Sequence, residues 1–276
     1  MASRILILTF LTGVALTESA NAQWINQPKA GVPRTRDGKP NLSAPAPKAA
    51  NGKPDLTGLW QTDMAAPGEI ERISPGLGVL AEPGDDPTTF TRYLHNVLAD
   101  YRPGDVKLTP AAEKLSQNQL PSAADLCLPS SVPMVDLFPM PKRFVQTPQL
   151  LVILYEGDIP RQIHMDGRAL PVDPQPAWVG YSIGKWEGDT LVVQTAGFNS
   201  RAPLDFSGHP RSEAMRMTER MRRRDFGHMD TQVTIDDPTF YSKPITFRYS
   251  ATLVPDDDLL EWVCTENEKD GGHLKP

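Results

Sequence analysis

From residue 142 onward the chain alternates between apolar and polar positions with period two. Ile245, Phe247, Tyr249, Ala251 and Leu253 interleave with Thr246, Arg248, Ser250 and Thr252, and Met229, Val233 and Ile235 interleave with Asp230, Gln232 and Thr234. That rhythm marks strands with one packed and one wet face. Turn signals fall between the runs at Asp166-Gly167, Gly188-Asp189 and Gly227. In W-E-G-D-T-L-V-V the two-residue Gly-Asp loop offers the positive φ that a hairpin turn requires. Strands are expected near 143–155, 159–166, 178–187, 190–198, 214–224, 229–236, 244–254 and 259–265. Such a meander has open edges that invite aggregation unless it closes or stacks on itself. The expected fold is therefore mainly β, an antiparallel up-and-down barrel, with a two-sheet β-sandwich as the alternative.

Upstream the rhythm differs. Residues 23–56 hold Pro28, Pro33, Pro40, Pro45, Pro47 and Pro54 and a short echo, D-G-K-P-N-L-S at 37–43 and N-G-K-P-D-L-T at 51–57. With few large apolar residues this segment cannot form a core, and it reads as a Pro-rich lead-in, either extended along the domain or disordered. Residues 57–276 then form a single β-rich domain. Its one helical region is expected near 88–116, where Phe90, Leu94, Val97, Leu98 and Tyr101 share a face and Thr109-Pro110 offers an N-cap followed by proline.

The first 22 residues read as a cleavable signal peptide. Arg4 precedes an uncharged stretch from Ile5 to Leu16, and Ala20-Asn21-Ala22 is a small-x-small cleavage site. Twelve apolar residues are short of the ~20 that span a bilayer. The protein is thus expected to be periplasmic or secreted, without membrane insertion. Loss of Arg4 and Glu18 together leaves the net charge at −6, which argues against nucleic acid as a partner. Proline, 28 of 276 residues, is about twice its average usage, in keeping with strands joined by stiff turns. Cys127 and Cys264 are the only cysteines, and in an oxidising compartment a disulfide between them is the default expectation. No His or Asn signature flanks either one to support a catalytic thiol.

R-Q-I-H-M-D-G-R (161–168), W-E-G-D-T-L-V-V-Q-T-A-G-F-N (186–199) and N-G-K-P-D-L-T-G-L-W (51–60) resemble a family of exported bacterial proteins of unassigned activity. The likeness runs from about residue 51 to the C-terminus and implies a shared fold, but no reaction. More distantly, Gly58-Leu59-Trp60 resembles the G-x-W that opens the first strand of lipocalin-like barrels, and Gly184-Lys185-Trp186 repeats the spacing.

Two segments are candidates for chemistry. In an extended strand Gln162, His164 and Asp166 share one face, and a carboxylate beside an imidazole orients it for proton transfer near neutral pH. Arg161 and Arg168 at the strand ends would bind an anionic or enolate oxygen. Against this, Asp166-Gly167 also makes a good turn, and a polar outer face is what any half-buried strand shows. The longer loop from Asn199 to Glu213 carries Asp205, His209 and Arg211, and long loops at a barrel mouth gate ligands. No His-x-His, H-E-x-x-H or paired-Cys spacing supports a metal, and there is no Gly-rich phosphate loop of the G-x-x-x-x-G-K-[ST] kind. The basic run at 216–224 reads as solvated faces and charged protection of a strand.

These features lead to an expected enzyme without cofactor or metal: a lyase, hydratase or isomerase acting on a small organic molecule in the barrel. His164 would be the acid/base, Asp166 its orienter and Asp205 a second carboxylate, with Arg161, Arg168, Trp178, Trp186, Phe198 and His209 at the substrate. One alternative is a periplasmic binding protein whose cavity is lined by Trp178, Trp186, Phe198 and Tyr249. Another is a structural envelope protein. Oligomeric state is not readable.

Overall fold

The computed structural model of the 276-residue chain describes residues 27–64, 95–98, 100–102, 104–117, 128–205, 207–261 and 263. Among these, nine strands close into one barrel in sequence order. They are β1 (Gly58–Thr62), β2 (Lys142–Gln146), β3 (Leu150–Tyr155), β4 (Arg161–His164), β5 (Tyr181–Glu187), β6 (Thr190–Ala196), β7 (Arg216–Arg223), β8 (His228–Asp236) and β9 (Ile245–Leu253). A helix, α1 (Pro110–Gln117), and a 3-10 turn (Met134–Leu137) lie between β1 and β2. No described helix is long and apolar enough to cross a membrane.

Neighbouring strands are antiparallel except β4 and β5, which run parallel in the register Ile163↔Ser182 and His164↔Ile183. The expected up-and-down barrel forms, with one departure from strictly antiparallel order at this point. Residues 165–180 do not form a hairpin after Asp166-Gly167, because a parallel neighbour needs a crossover of about a dozen residues. The exception makes closure possible in its observed sense. Nine strictly alternating strands would bring β9 alongside β1 in parallel, whereas one parallel step restores the antiparallel pairing Trp60↔Leu253 and Thr62↔Ala251. The expected strand at 143–155 is in fact a hairpin: the Thr147 N–H donates to the Leu150 carbonyl (2.8 Å), and Thr147 Oγ1 accepts from the Leu150 N–H (3.0 Å). Gly188, at φ +60°, opens the two-residue turn between β5 and β6, as the Gly-Asp pair implied. No strand forms at 259–261 or 263.

Inward positions alternate along every strand, and Trp60, Phe144, Leu151, Ile153, Ile163, Leu191 and Val193 are all 2 % exposed or less. Thr109 opens α1 as the sequence implied, with its Oγ1 accepting from the Ala112 N–H at 3.4 Å. Of the expected helical region near 88–116, residues 88–94, 99 and 103 lie outside the described residues, Val97 and Leu98 lie in a turn, and helix starts at Pro110. Residues 1–26, Cys127 and Cys264 are outside them too, so the signal segment and the disulfide have no counterpart here.

The lead-in lies along the domain and is packed against it. Its sequence echo is a structural repeat: two small hairpins fourteen residues apart, bridged Arg34↔Pro40 and Lys48↔Pro54. Equivalent bonds, Thr35 N–H to Lys39 O (2.9 Å) and Ala49 N–H to Lys53 O (2.8 Å), close them. The first hairpin is held by Arg34 on the Asp256 carboxylate (2.6 and 3.0 Å) and by Leu42, whose carbonyl accepts from the Gly227 N–H at 2.7 Å. The second delivers Leu56, fully buried, beneath Trp60, whose Nε1 donates to the Leu56 carbonyl at 2.9 Å.

Gly227 is required by close approach, since a Cβ there would sit 2.4 Å from Leu42 Cβ and 2.9 Å from Leu42 Cα. Gly227→Ala is expected to cost about 1–3 kcal/mol, as overpacking does, and to release the first hairpin. Thermal melts with limited proteolysis check this: new cleavage within 27–46 is expected, and an unchanged melt and digest would contradict the packing.

Candidate functional site

Several polar residues lie in phase with the apolar, inward set of their strands. Lys142 is two residues from Phe144, Arg161 two from Ile163, Glu219 falls between Met217 and Met221, and Tyr249 between Phe247 and Ala251. Strand pleat therefore sends all of them into the barrel. Asp136 joins them from the 3-10 turn, which is fixed by bonds from the Val135 N–H to Ser131 O (2.8 Å) and from the Asp136 N–H to Pro133 O (2.9 Å). Asp136, Lys142, Arg161 and Glu219 are each 2 % exposed or less.

Two linked ion pairs result. Arg161 Nη1 donates to Glu219 Oε1 at 3.0 Å and Nη2 donates to Oε2, a bidentate clasp. Two of its three remaining donors reach Ser182 Oγ (3.2 Å, from Nε) and Thr195 Oγ1 (2.9 Å, from Nη2). Lys142 Nζ donates to the Asp136 carbonyl (2.7 Å), Asp136 Oδ1 (3.1 Å) and Thr62 Oγ1 (3.2 Å), and lies 5.1 Å from the centre of the Tyr249 ring. The Tyr155 hydroxyl also donates to Asp136 Oδ1, at 3.1 Å. Asp136 Oδ2 has no hydrogen-bond partner although it is buried, and Arg161 Nη1 is 3.7 Å away. At the edge of the cluster His95 Nε2 pairs with the Asp63 carbonyl at 2.9 Å, and its ring lies 6.5 Å from that of Tyr249.

Burial sets the proton affinities. It pulls the Lys142 ammonium below the usual lysine range, against the attraction of Asp136. It pushes the Tyr155 and Tyr249 phenols well above theirs, with the Asp136 charge adding in the same direction. Burial also lowers His95, helped by Lys142 and opposed by the bond to Asp63, so its imidazole is neutral at neutral pH. For Arg161 burial acts downward, but the charge and hydrogen bonds of Glu219 outweigh it and the guanidinium is held more firmly protonated. The interior thus combines two carboxylates, one of them with a bare oxygen, two protonated phenols and two cations.

The residues expected from sequence lie elsewhere with two exceptions. Arg161 is at the centre of the cluster, and so is Tyr249. The inward face proposed for 162, 164 and 166 is reversed, because Ile163 and Arg161 take the core side and Gln162 is exposed. His164 lies on the outer face, stacked on Tyr181 with ring centres 5.2 Å apart. Asp166 is an outer residue clasped by Arg168 (2.9 and 2.6 Å), whose hydrogen bonds hold its carboxyl down at about 2. Arg168 also donates to the Tyr181 hydroxyl at 2.9 Å, so its charge serves this surface pair.

Asp205 is fully buried and takes His209 Nδ1 (2.7 Å), the Ser207 N–H (3.0 Å) and the Val97 N–H (2.9 Å). It and His209 therefore pair with each other and tether the segment that carries His95. Phe198 is buried beneath the Arg211 guanidinium (5.1 Å), and the Trp178 ring lies under Arg201 (5.1 Å). Trp186 packs half-buried on the core, with Nε1 buried and unpartnered. Among the described residues no cluster of three or more His, Cys, Asp or Glu is arranged to hold a metal ion. No protein-family model matches the chain, and neither does any curated protein or solved structure.

Sequence reasoning missed Asp136, Lys142, Tyr155 and Glu219. For the three on strands a signal existed: a charged or phenolic residue sharing the parity of its strand's apolar set.

Removing one partner of the bidentate clasp strands a buried charge. Glu219→Ala is expected to cost about 3–5 kcal/mol in denaturant unfolding, and a loss under about 1 kcal/mol would mean that Arg161 reaches solvent. A second outcome concerns pH. Burial acts to lower His209, but the Asp205 charge and hydrogen bond raise it above 6.5 overall. Its contribution is therefore fully present below that value and lost as pH rises through the raised one. Relative to His209→Asn, the wild-type stability is expected to fall as pH rises from 6.5 through the raised value. A parallel pH profile for the two proteins would refute the pairing.

Proposed function

We propose that this chain is an exported, cofactor-independent lyase, hydratase or isomerase that works on a small organic molecule inside the barrel. Its working groups are Asp136, Lys142, Tyr155, Arg161 and Tyr249, in place of His164 and Asp166. The observation that carries the reading is the Asp136 carboxylate: Oδ1 is fixed by Lys142 and Tyr155, while Oδ2 is buried without a hydrogen bond. A carboxylate oriented in this way and stripped of solvent is a proton acceptor held in one geometry. Arg161 and Lys142 supply positive charge for an oxyanion developing on the substrate. Tyr155 and Tyr249 keep their protons through burial and serve as hydrogen-bond donors. Glu219 holds Arg161 in place, and Asp205 holds the His95 segment.

Structural stability is a poor explanation for such a cluster. Well-packed apolar residues of similar volume often match or exceed the stability of a buried ion network, and ionisable groups with perturbed proton affinities gather at functional sites.

The test uses the mature protein in deuterated water with a metabolite extract from the periplasm, followed by proton NMR. Wild type is expected to deplete, or to exchange a carbon-bound proton of, at least one compound, and Asp136→Asn to do so ~100-fold more slowly or worse, the scale of general acid–base catalysis. No turnover or exchange by wild type, or equal rates in the two proteins, would overturn the reading. Line broadening of one compound without turnover would favour the binding-protein alternative.

A further inference from the structure

The 3.7 Å between Arg161 Nη1 and Asp136 Oδ2 is too long for a hydrogen bond and too short to be indifferent. Nη1 carries two hydrogens, one of which goes to Glu219 Oε1 at 3.0 Å. Oδ2 accepts none. Neither side is free to close the gap. Asp136 Oδ1 is anchored by Lys142 and Tyr155, each at 3.1 Å, and the Arg161 fork is spread over Glu219, Ser182 and Thr195. A single oxygen atom about 2.8 Å from each would satisfy both groups.

We infer that this gap is the seat of a hydroxyl group, and that the substrate of the proposed site is a small, neutral, hydroxyl-bearing molecule. The inference rests on the proposed function and names its substrate class. A hydroxyl is both donor and acceptor at one atom, so it gives its hydrogen to Oδ2 and takes one from Nη1. A carbonyl oxygen satisfies the arginine and leaves Oδ2 bare. A carboxylate brings a third negative charge against Asp136, into an interior whose two cations and two anions already balance. An ammonium has only donors and meets the Arg161 hydrogen. Set against a carbonyl, a carboxylate and an ammonium, the hydroxyl is the group that fits both neighbours at one atom.

The test compares three probes of nearly equal size: propan-2-ol, acetone and acetate. Affinities come from titrations of nitrogen-15-labelled protein, followed at the Arg161 side chain, and a crystal soaked in propan-2-ol locates the alcohol. Wild type is expected to bind propan-2-ol about tenfold more tightly than acetone or acetate, the worth of one unmade hydrogen bond. In the crystal the alcohol oxygen bridges Arg161 and Asp136. In Asp136→Asn the amide oxygen stays on Lys142 and Tyr155, and its nitrogen takes the place of Oδ2. Two donors then face the gap, so the order is expected to reverse in favour of acetone. If that variant does not fold, the wild-type ranking and the soaked crystal decide. Preference of wild type for acetone or acetate, binding of none of the three, or a crystal in which Arg161 bonds Asp136 directly with the alcohol elsewhere would overturn the inference. The two proposals fail separately: a propan-2-ol ranking that holds while no metabolite turns over removes the enzyme and leaves the seat.

Discussion

The governing constraint is electrostatic: a charge taken out of bulk water into the barrel interior must be neutralised there. Arg161 cannot be buried without the bidentate clasp of Glu219, and Lys142 cannot be buried without Asp136. That requirement reaches well beyond the four residues. It fixes the 3-10 turn that brings Asp136 to the cluster, and it needs Thr195 and Ser182 on β6 and β5 to take two of the three donors of Arg161 left over from the clasp. Those two strands lie beside Arg161 because β5 pairs with β4 in parallel.

Other buried cations show what a purely structural charge looks like. Arg211 spends all five of its N–H groups on the Asn199 carbonyl and Oδ1, Ser131 Oγ, and the Val132 and Trp178 carbonyls. Burial draws its pKa down to about 9. Arg223, drawn down to about 10 by burial, lies 4.9 Å from the centre of the Trp60 ring and donates to the carbonyls of Asp55, Asp225 and Phe226, fastening the lead-in to the barrel. Arg211 is a saturated clamp, and Arg223 is fastened through Nε, Nη1 and Nη2. By binding Ser131 and Val132, Arg211 also steadies the approach to the turn that presents Asp136. In the central cluster, by contrast, an acceptor is left over, at the one place where two opposite charges nearly meet.

Much of the barrel was legible in the sequence because strand alternation is a local property. The runs at 229–236 and 245–253 and the Gly188-Asp189 turn needed only neighbouring residues to be read. The parallel step was not legible, since Asp166-Gly167 makes the same local turn whether the chain returns beside β4 or crosses over. The break at Thr147 did leave a mark, since Thr147-Pro148-Gln149 puts a proline inside the strand expected at 143–155. The site was harder still. H-M-D at 164–166 looks chemical because its polar face is separate from its apolar one, and that separation is what an outer face produces. Arg161 and Glu219 carry the opposite sign: they sit among apolar residues of their own parity, at positions where a charge has no reason to be unless it has a partner across the barrel. Asp136, on a short turn with no period of its own, gave no such clue.

The central claim is that the interior charges are kept for chemistry rather than for stability. Its most direct test replaces all four at once with apolar residues of similar volume, Asp136→Leu, Lys142→Met, Arg161→Met and Glu219→Leu, and measures the melting temperature alongside binding of propan-2-ol. Because no charge is left stranded, the expected result is a folded β-rich protein that melts at or above the wild-type temperature and no longer binds the alcohol. A variant that fails to fold, or that melts far below wild type, would contradict the account and identify the network as the element that holds the barrel together.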